Sequence, residues 1–381
     1  MFDIKNYSKS VDFLLENAGP VIQYRLHKEI LKDIDKNEEE NLLSQVYEMP
    51  LFQLLKTYVK PNGYIGSGMH SWDNWRGTVL HETPLQDGEN AARLLSYYRI
   101  PKEHPVVKNF ISVLRDEETL RKEFSYIPPE IPRFNNRFEG INNGNSLMSL
   151  VYTLQAMLGY GDGYNDLKDF QQISLKGFCR ILEIQSLEEI TKFNPGAKRK
   201  YNYPYIEADE YFPNVYTVSM LAYTKSWRSK ENMHMLSDAF NHINTIMKPG
   251  NNMHVHIKSK YIAPCFALIR PIRAFDTGII DVINYRRLLT EIAMTGAGME
   301  TEVIRQSADN INKALSKDGI LHLDFTKPYN KHYSPEYLKY PSPYTDVMLE
   351  ASYKDKNALL CDLTFWALEF LFYLCACTSV S

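Results

Sequence analysis

Apolar positions along this chain fall into two alternating kinds of segment. In the first kind nearly every position is apolar, as in Asn145–Leu158. In the second, apolar residues recur at helical spacing with charged residues between them. Tyr164–Glu183 is of this kind: Leu167, Phe170, Ile173, Leu175, Phe178, Ile181 and Leu182 form a stripe, with Lys168, Lys176 and Arg180 at other positions. The pairing returns at Phe212–Thr224 with Lys230–Met247, and at Tyr261–Ala274 with Val282–Met294. Loops rich in Gly, Asn, His or aromatic residues precede the apolar helices: Asn62–Trp75, Pro132–Asn145, Asn194–Tyr211, Gly250–Ala263 and Asp318–Asp346. The helices then begin near Thr83, Asn145, Phe212, Tyr261 and Asn357. A repeated helical hairpin cannot bury its apolar face alone and must stack on its neighbours.

Local signals set the boundaries. Ser8 is an N-cap for a first helix through Leu15, and Pro20 opens a second, whose stripe is Val21, Ile22, Tyr24, Ile30 and Leu31. Thr83-Pro84 reads as N-cap and first turn of a helix reaching Tyr98. Met253–Ile257 and Gly319–Phe325 are the best short strands. Lys327–Tyr344 is a Tyr-, Pro- and Lys-rich loop without periodicity, expected to lie over something. Leu363–Cys377 is strongly apolar but shorter than the ~20 residues that span a bilayer, so no stable membrane span is expected. It needs a partner, and Val21–Leu31 offers one. The reading is all-α: one domain over residues 1–381, an α/α toroid of helical hairpins with a few short extended segments.

The opening carries a resemblance. Gly19-Pro20-Val21-Ile22-Gln23-Tyr24-Arg25, then Leu51–Val59, then Pro61-Asn62-Gly63-Tyr64-Ile65-Gly66, resembles the helix-then-DGxWG pattern of uncharacterised bacterial prenyltransferase-like proteins. Lys317-Asp318-Gly319 is a weaker second copy. In organisation the chain is similar to the terpenoid cyclase and protein prenyltransferase superfamily. The resemblance implies a toroid with a central cavity. It carries over no catalytic residue, because neither the DxDD nor the DDxxD acid motif is present and a zinc-binding Asp, Cys and His set is not traceable.

Charge and cysteine content narrow the class. With 43 basic against 46 acidic residues and no basic stripe, a nucleic-acid partner is not expected. Five cysteines without a CxxC pair fit reduced thiols and a cytoplasmic location. The stretch MFDIKNYSKS lacks the apolar core of a signal peptide. No GxSxG, P-loop or Rossmann motif occurs.

Candidate chemistry lies in the loops. Trp72 and Trp75 could stack on a sugar or cation, with Asp73, His81 or Glu82 as acid or base; rim packing by the indoles is the plainer account. Glu207, Asp209 and Glu210, flanked by Tyr203, Tyr205 and Tyr211, crowd three carboxylates before a helix. Crowding raises one pKa, and Asp209 or Glu210 is the expected acid, whereas the helix dipole favours the charged form. His254 and His256 would face the same way in a strand and could meet one ligand. No metal is assigned to them, since a third ligand is not visible. Arg133 and Arg137 could clamp an anion. His322 and Asp324 share a face in the equivalent final loop. The catalytic set is thus Asp73, His81, Asp209 and Glu210. The substrate-binding set is Trp72, Trp75, Arg133, Tyr205, Glu207, His254, His256, His322 and Asp324.

These features favour an enzyme acting on a small-molecule substrate in an aromatic-lined cavity, with its cofactor unspecified. A terpenoid-type cyclase needs a hydrocarbon-lined cavity and one acid. A carbohydrate hydrolase or lyase needs a polar cleft with paired carboxylates. A non-catalytic repeat scaffold for a partner protein is the third reading.

Overall fold

The computed structural model describes residues 3–66, 69, 87–123, 137–194, 196, 203–264, 266–277, 287–323, 347–352 and 355–377. Among these the chain is mostly helical, with one small three-stranded sheet. The helices are α1 (Ser8–Asn17), α2 (Pro20–Arg25), α3 (Lys36–Tyr47), α4 (Pro50–Thr57), α5 (Gly88–Tyr97), α6 (Pro105–Arg115), α7 (Glu117–Glu123), α8 (Leu147–Met157), α9 (Asn165–Leu182), α10 (Val215–Ala222), α11 (Lys230–Ile246), α12 (Thr290–Met294), α13 (Glu302–Leu315) and α14 (Lys356–Ala376). A wider π turn, Leu26–Leu31, continues α2 and ends at Lys32, whose φ is 57°.

The two kinds of segment become two kinds of helix. Every residue of α5, α8 and α10 is buried. These helices, with α12, α14 and α2, pack in succession: α5 on α8, α8 on α10, α10 on α12, α12 on α14, and α14 on α2. The amphipathic helices bury one stripe each, and α9 lies across α8, α10 and α11. An all-apolar helix is stable only when covered on every side, so the pattern sorts α8 and α10 inward; it does not sort α12, which lies in the stretch Val282–Met294 expected to be amphipathic, nor α5, which is buried with Glu89, Asn90 and Arg93 in it. The expected partnership of the first and last apolar helices holds, since α14 packs on both α1 and α2.

Caps set the starts. Asp87 is the N-cap of α5 and accepts from the Asn90 amide, while Thr83, the expected cap, lies outside the described residues. Asn214 and Thr217 form a reciprocal capping box at α10. α14 runs 21 residues, longer than its apolar stretch implies. By length and composition it is the one helix among the described residues that could cross a membrane, yet it is mostly buried against other helices.

The sheet pairs β1 (Tyr205–Glu207) parallel to β2 (His254–Ile257), and β2 antiparallel to β3 (Lys260–Ile262). The strand expected near residue 254 is present. The helix expected over Tyr261–Ala274 is not. Residues 266–277 carry no helix; Phe266 accepts from the Val215 amide at 3.1 Å and Leu268 donates to Pro213 at 3.0 Å. Pro264 and Pro271 interrupt the run, and its backbone pairs with the segment entering α10. No strand forms over residues 319–323.

Candidate functional site

Charged side chains occur inside the inner helices, where the pattern is otherwise apolar. On α5, Glu89 lies one turn before Arg93, and both are buried. Glu89 accepts from Arg93 at 3.2 Å, from Arg287 at 3.2 Å and from the Tyr216 hydroxyl at 3.2 Å. Arg287 enters α12, and Tyr216 belongs to α10. Three chain segments therefore converge on one carboxylate.

Glu291, on α12, is the second carboxylate. It is 1% exposed. Oε2 accepts from Ser219 on α10, while Oε1 has no hydrogen-bond partner among the described residues and lies 3.9 Å from Arg93. Burial raises its pKa; Arg93 and Arg287 oppose that pull, and the negative charge of Glu89 adds to it. Two carboxyl groups thus share Arg93 while differing in environment.

Beside this pair the Arg287 guanidinium lies 5.0 Å from the Tyr216 ring and 5.2 Å from that of Phe266, two rings that meet at 73°. Phe266 also borders a cleft of about 340 Å³ lined by Val215, Asn252, Arg270 and Leu288. Below the pair lies a cavity of about 10 Å³, lined by Glu291, Tyr97, Arg99, Tyr223, Arg25 and Glu369 among others. That volume suits about one water molecule. Beneath it, Arg25 pairs with Glu369 and, at 3.1 Å, with Glu29. Burial pushes the Glu29 carboxyl up, but Arg25 and Arg99 outweigh it and hold the pKa at about 2.

The loop residues have mixed fates. Trp72, Asp73, Trp75, His81, Arg133 and Asp324 lie outside the described residues. Tyr205, Glu207, Asp209, His254 and His256 come together on and beside the sheet. His256 Nδ1 lies 2.7 Å from Glu207, whose other oxygen accepts from Lys192 at 3.1 Å. Burial raises the Glu207 pKa, and these two partners more than offset it, leaving it lowered rather than raised. Glu210 instead pairs with Arg180 at 2.7 Å. His322 pairs with Asp318 at 3.0 Å, in a stretch held to α1 and α14 through Gly319 and Leu321. Arg137 pairs with Glu117. Asn142 and Asn143 donate to the carbonyls of residues 207–210 and so shape that loop.

Among the described residues, carboxyls with a raised pKa include Glu291, inside a helix, and Glu350, whose pKa burial lifts to about 7. Reading catalytic groups only from loops missed Glu89, Arg93 and Glu291. The signal available was a Glu-x-x-x-Arg pair within a helix that must be covered on all sides. Among the described residues no three His, Cys, Asp or Glu side chains group as metal ligands.

Compared with protein-family models, curated proteins and solved structures, the chain matches none.

Proposed function

We propose that the succession of inner helices closes into an α/α toroid and that the chain is an enzyme working by acid–base chemistry on a polar small molecule, with the hydrolase or lyase reading for carbohydrates ahead of the terpenoid cyclase. One observation carries this: two buried carboxyls on different inner helices, Glu89 and Glu291, share Arg93 while burial and the Glu89 charge favour the protonated form of Glu291. A carboxyl held protonated beside a carboxylate that accepts from two guanidinium groups and a hydroxyl offers an acid and a second acceptor at one place. Glu291 is the general acid and Glu89 its acceptor partner. A cyclase cavity stabilises carbocations against hydrocarbon and aromatic walls, whereas this interior holds Arg25, Arg93, Arg99 and Arg287. The toroid is the architecture the resemblance to prenyltransferase-like proteins also implies, but the charged interior favours the polar substrate.

The test is turnover of a panel of neutral and acidic oligosaccharides, followed by reducing ends and by unsaturated products. Glu291→Gln is expected to lower kcat by ~10²–10⁴-fold, the usual scale for losing a general acid, with little change in binding. Turnover that persists in both Glu291→Gln and Glu89→Gln would remove the acid–base assignment. Binding without turnover in the wild type would favour the scaffold reading.

A further inference from the structure

The sheet has one face in the core and one outside it. Ile206, Val255 and Ile257 are buried, so alternation places Tyr205, Glu207, His254 and His256 together on the opposite face. Rings cluster there. His256 stacks on Tyr261 with centroids 4.7 Å apart, Tyr205 meets Tyr261 edge-on at 4.8 Å, and Tyr203 meets His254 edge-on at 4.9 Å. Among the described residues, the exposed large hydrophobic side chains include Phe138 at 57%, Phe193 at 60%, Tyr203 at 38% and Tyr261 at 37%, all on this sheet or the segments bordering it. A concentration of this kind marks a recognition surface more often than chance exposure does.

Beside the rings opens a cleft of about 570 Å³, lined by Phe138, Lys192, Glu207, Asp209, His256 and Lys258 among others. That size is typical of ligand clefts. Among the described residues the Asp209 carboxylate and the Lys258 ammonium engage no side-chain hydrogen bond, so the cleft keeps both acceptor and donor capacity. Its carboxylates, Glu139, Glu207 and Asp209, outnumber its ammonium groups, Lys192 and Lys258. A polyphosphate would meet that acidic excess. A wholly apolar ligand would strip water from charged groups without replacing it. A neutral sugar avoids both faults: its C–H faces lie on rings, and its hydroxyls donate to carboxylates and accept from ammonium groups.

We infer that the outer face of the sheet and its cleft form a binding subsite for a neutral saccharide chain, with Tyr261 and Tyr205 as the stacking platform and Asp209 and Lys258 as the hydrogen-bonding pair. This deepens the carbohydrate reading above and rests on it for the identity of the substrate, since β1 lies in the segment that leads into α10. Binding is measurable without turnover.

The experiment is affinity electrophoresis of the full chain through gels carrying soluble β-glucan, starch, xylan or mannan, with polygalacturonate and heparin as polyanion controls. At least one neutral polysaccharide is expected to retard the wild type, and Tyr261→Ala and Asp209→Asn are each expected to weaken retardation by about tenfold, with melting temperature unchanged. Wild-type mobility unaltered by every neutral glycan, retardation by polyanions alone, or undiminished retardation of both variants overturns the subsite. Glu291→Gln separates the two proposals. If the wild type and Glu291→Gln are retarded equally and neither turns over any glycan, the subsite stands and the interior assignment falls. If turnover is lost in Glu291→Gln but untouched by Tyr261→Ala, with no retardation, the interior assignment stands and the subsite falls.

Discussion

Glu350 holds a carboxyl group where water is scarce. It accepts from the Gly19 amide at 2.9 Å, ahead of α2, and lies so close that a Cβ at Gly19 would come 2.4 Å from a Glu350 oxygen and displace the carboxyl. Burial raises its pKa from 4.5 to about 7; the Gly19 amide opposes this, and Asp362 and Asp355 add to it. The same surroundings push the nearby Cys361 thiol up to about 12, burial first and the carboxylates after it. The folded chain therefore binds the Glu350 proton more tightly than the unfolded chain does. This contribution to stability is greatest below about pH 4.5 and declines as pH rises through about 7. At ~1.4 kcal/mol for each tenfold in proton affinity, the decline is about 3 kcal/mol. In urea titrations between about pH 4.5 and pH 8, Glu350→Gln should lack that share of the slope; parallel slopes for the two proteins would contradict it. Nothing in the sequence distinguishes Glu350 from an exposed glutamate. Its environment is assembled by Gly19, over three hundred positions away, and no local pattern carries that information.

At the scale of elements, helices were legible and irregular backbone was not. The apolar runs behind α8 and α10 and the stripes of α9 and α11 predict those helices to within a turn or so, whereas α14 begins at Lys356, ahead of its apolar run Leu363–Cys377 and close to the expected start near Asn357. The run Tyr261–Ala274 is also largely apolar, but it opens in β3 and continues as irregular backbone in which Leu268, Ile269 and Ile272 are the buried residues among those described; hydrophobicity cannot separate such a run from a helix of that length, and Pro264 and Pro271 were the signal against one. A second illegible device joins α8 to α10. Asn214 Nδ2 donates to the Asn143 carbonyl at 3.1 Å while Oδ1 accepts from the Thr217 amide at 3.0 Å. Gly144 makes room for it: φ is 73°, and a Cβ would fall 1.7 Å from Asn214 Nδ2. Asn214→Ala should cost ~2–3 kcal/mol, combining a lost cap with a buried carbonyl left unpaired. Gly144→Ala should cost at least as much, from strain and from displacement of the same side chain. Denaturation midpoints check both, and a Gly144→Ala chain as stable as the wild type would refute the account.

Across the whole molecule, α14 is the element on which the ends meet. It packs against α1, α2, α12 and α13, and its Glu369 pairs with Arg25 of α2 inside the protein. A buried ion pair adds little over a well-packed apolar pair, but breaking one half strands a charge. Arg25 keeps Glu29 at 3.1 Å when Glu369 is lost, so Glu369→Gln is expected to destabilise by less than the ~3–5 kcal/mol of a fully stranded charge, and Arg25→Met with Glu369→Leu together by less again. Equal losses in the single and double variants would show that packing, not charge, holds this contact. The sequence foretold the meeting of Val21–Leu31 with the terminal helix from apolar character alone. The ions inside it went unread, because a charged residue in an apolar run looks like a solvated exception.

The interior charges also bear on how such a chain can change over generations. Arg25, Arg93, Arg99 and Arg287 answer Glu29, Glu89, Glu291 and Glu369, each acid touching at least one of these bases and several touching two. A single replacement unbalances a cluster that is buried except at Glu29 and Arg99, 17% and 23% exposed, and weakens every group left facing the lost charge. Drift at these eight positions is therefore expected to proceed most readily in compensated steps, with an acid and a base lost or exchanged together. In descendants of this sequence Arg25 and Glu369 should vary as a pair or not at all, while the exposed Lys and Glu residues of the outer helices turn over freely.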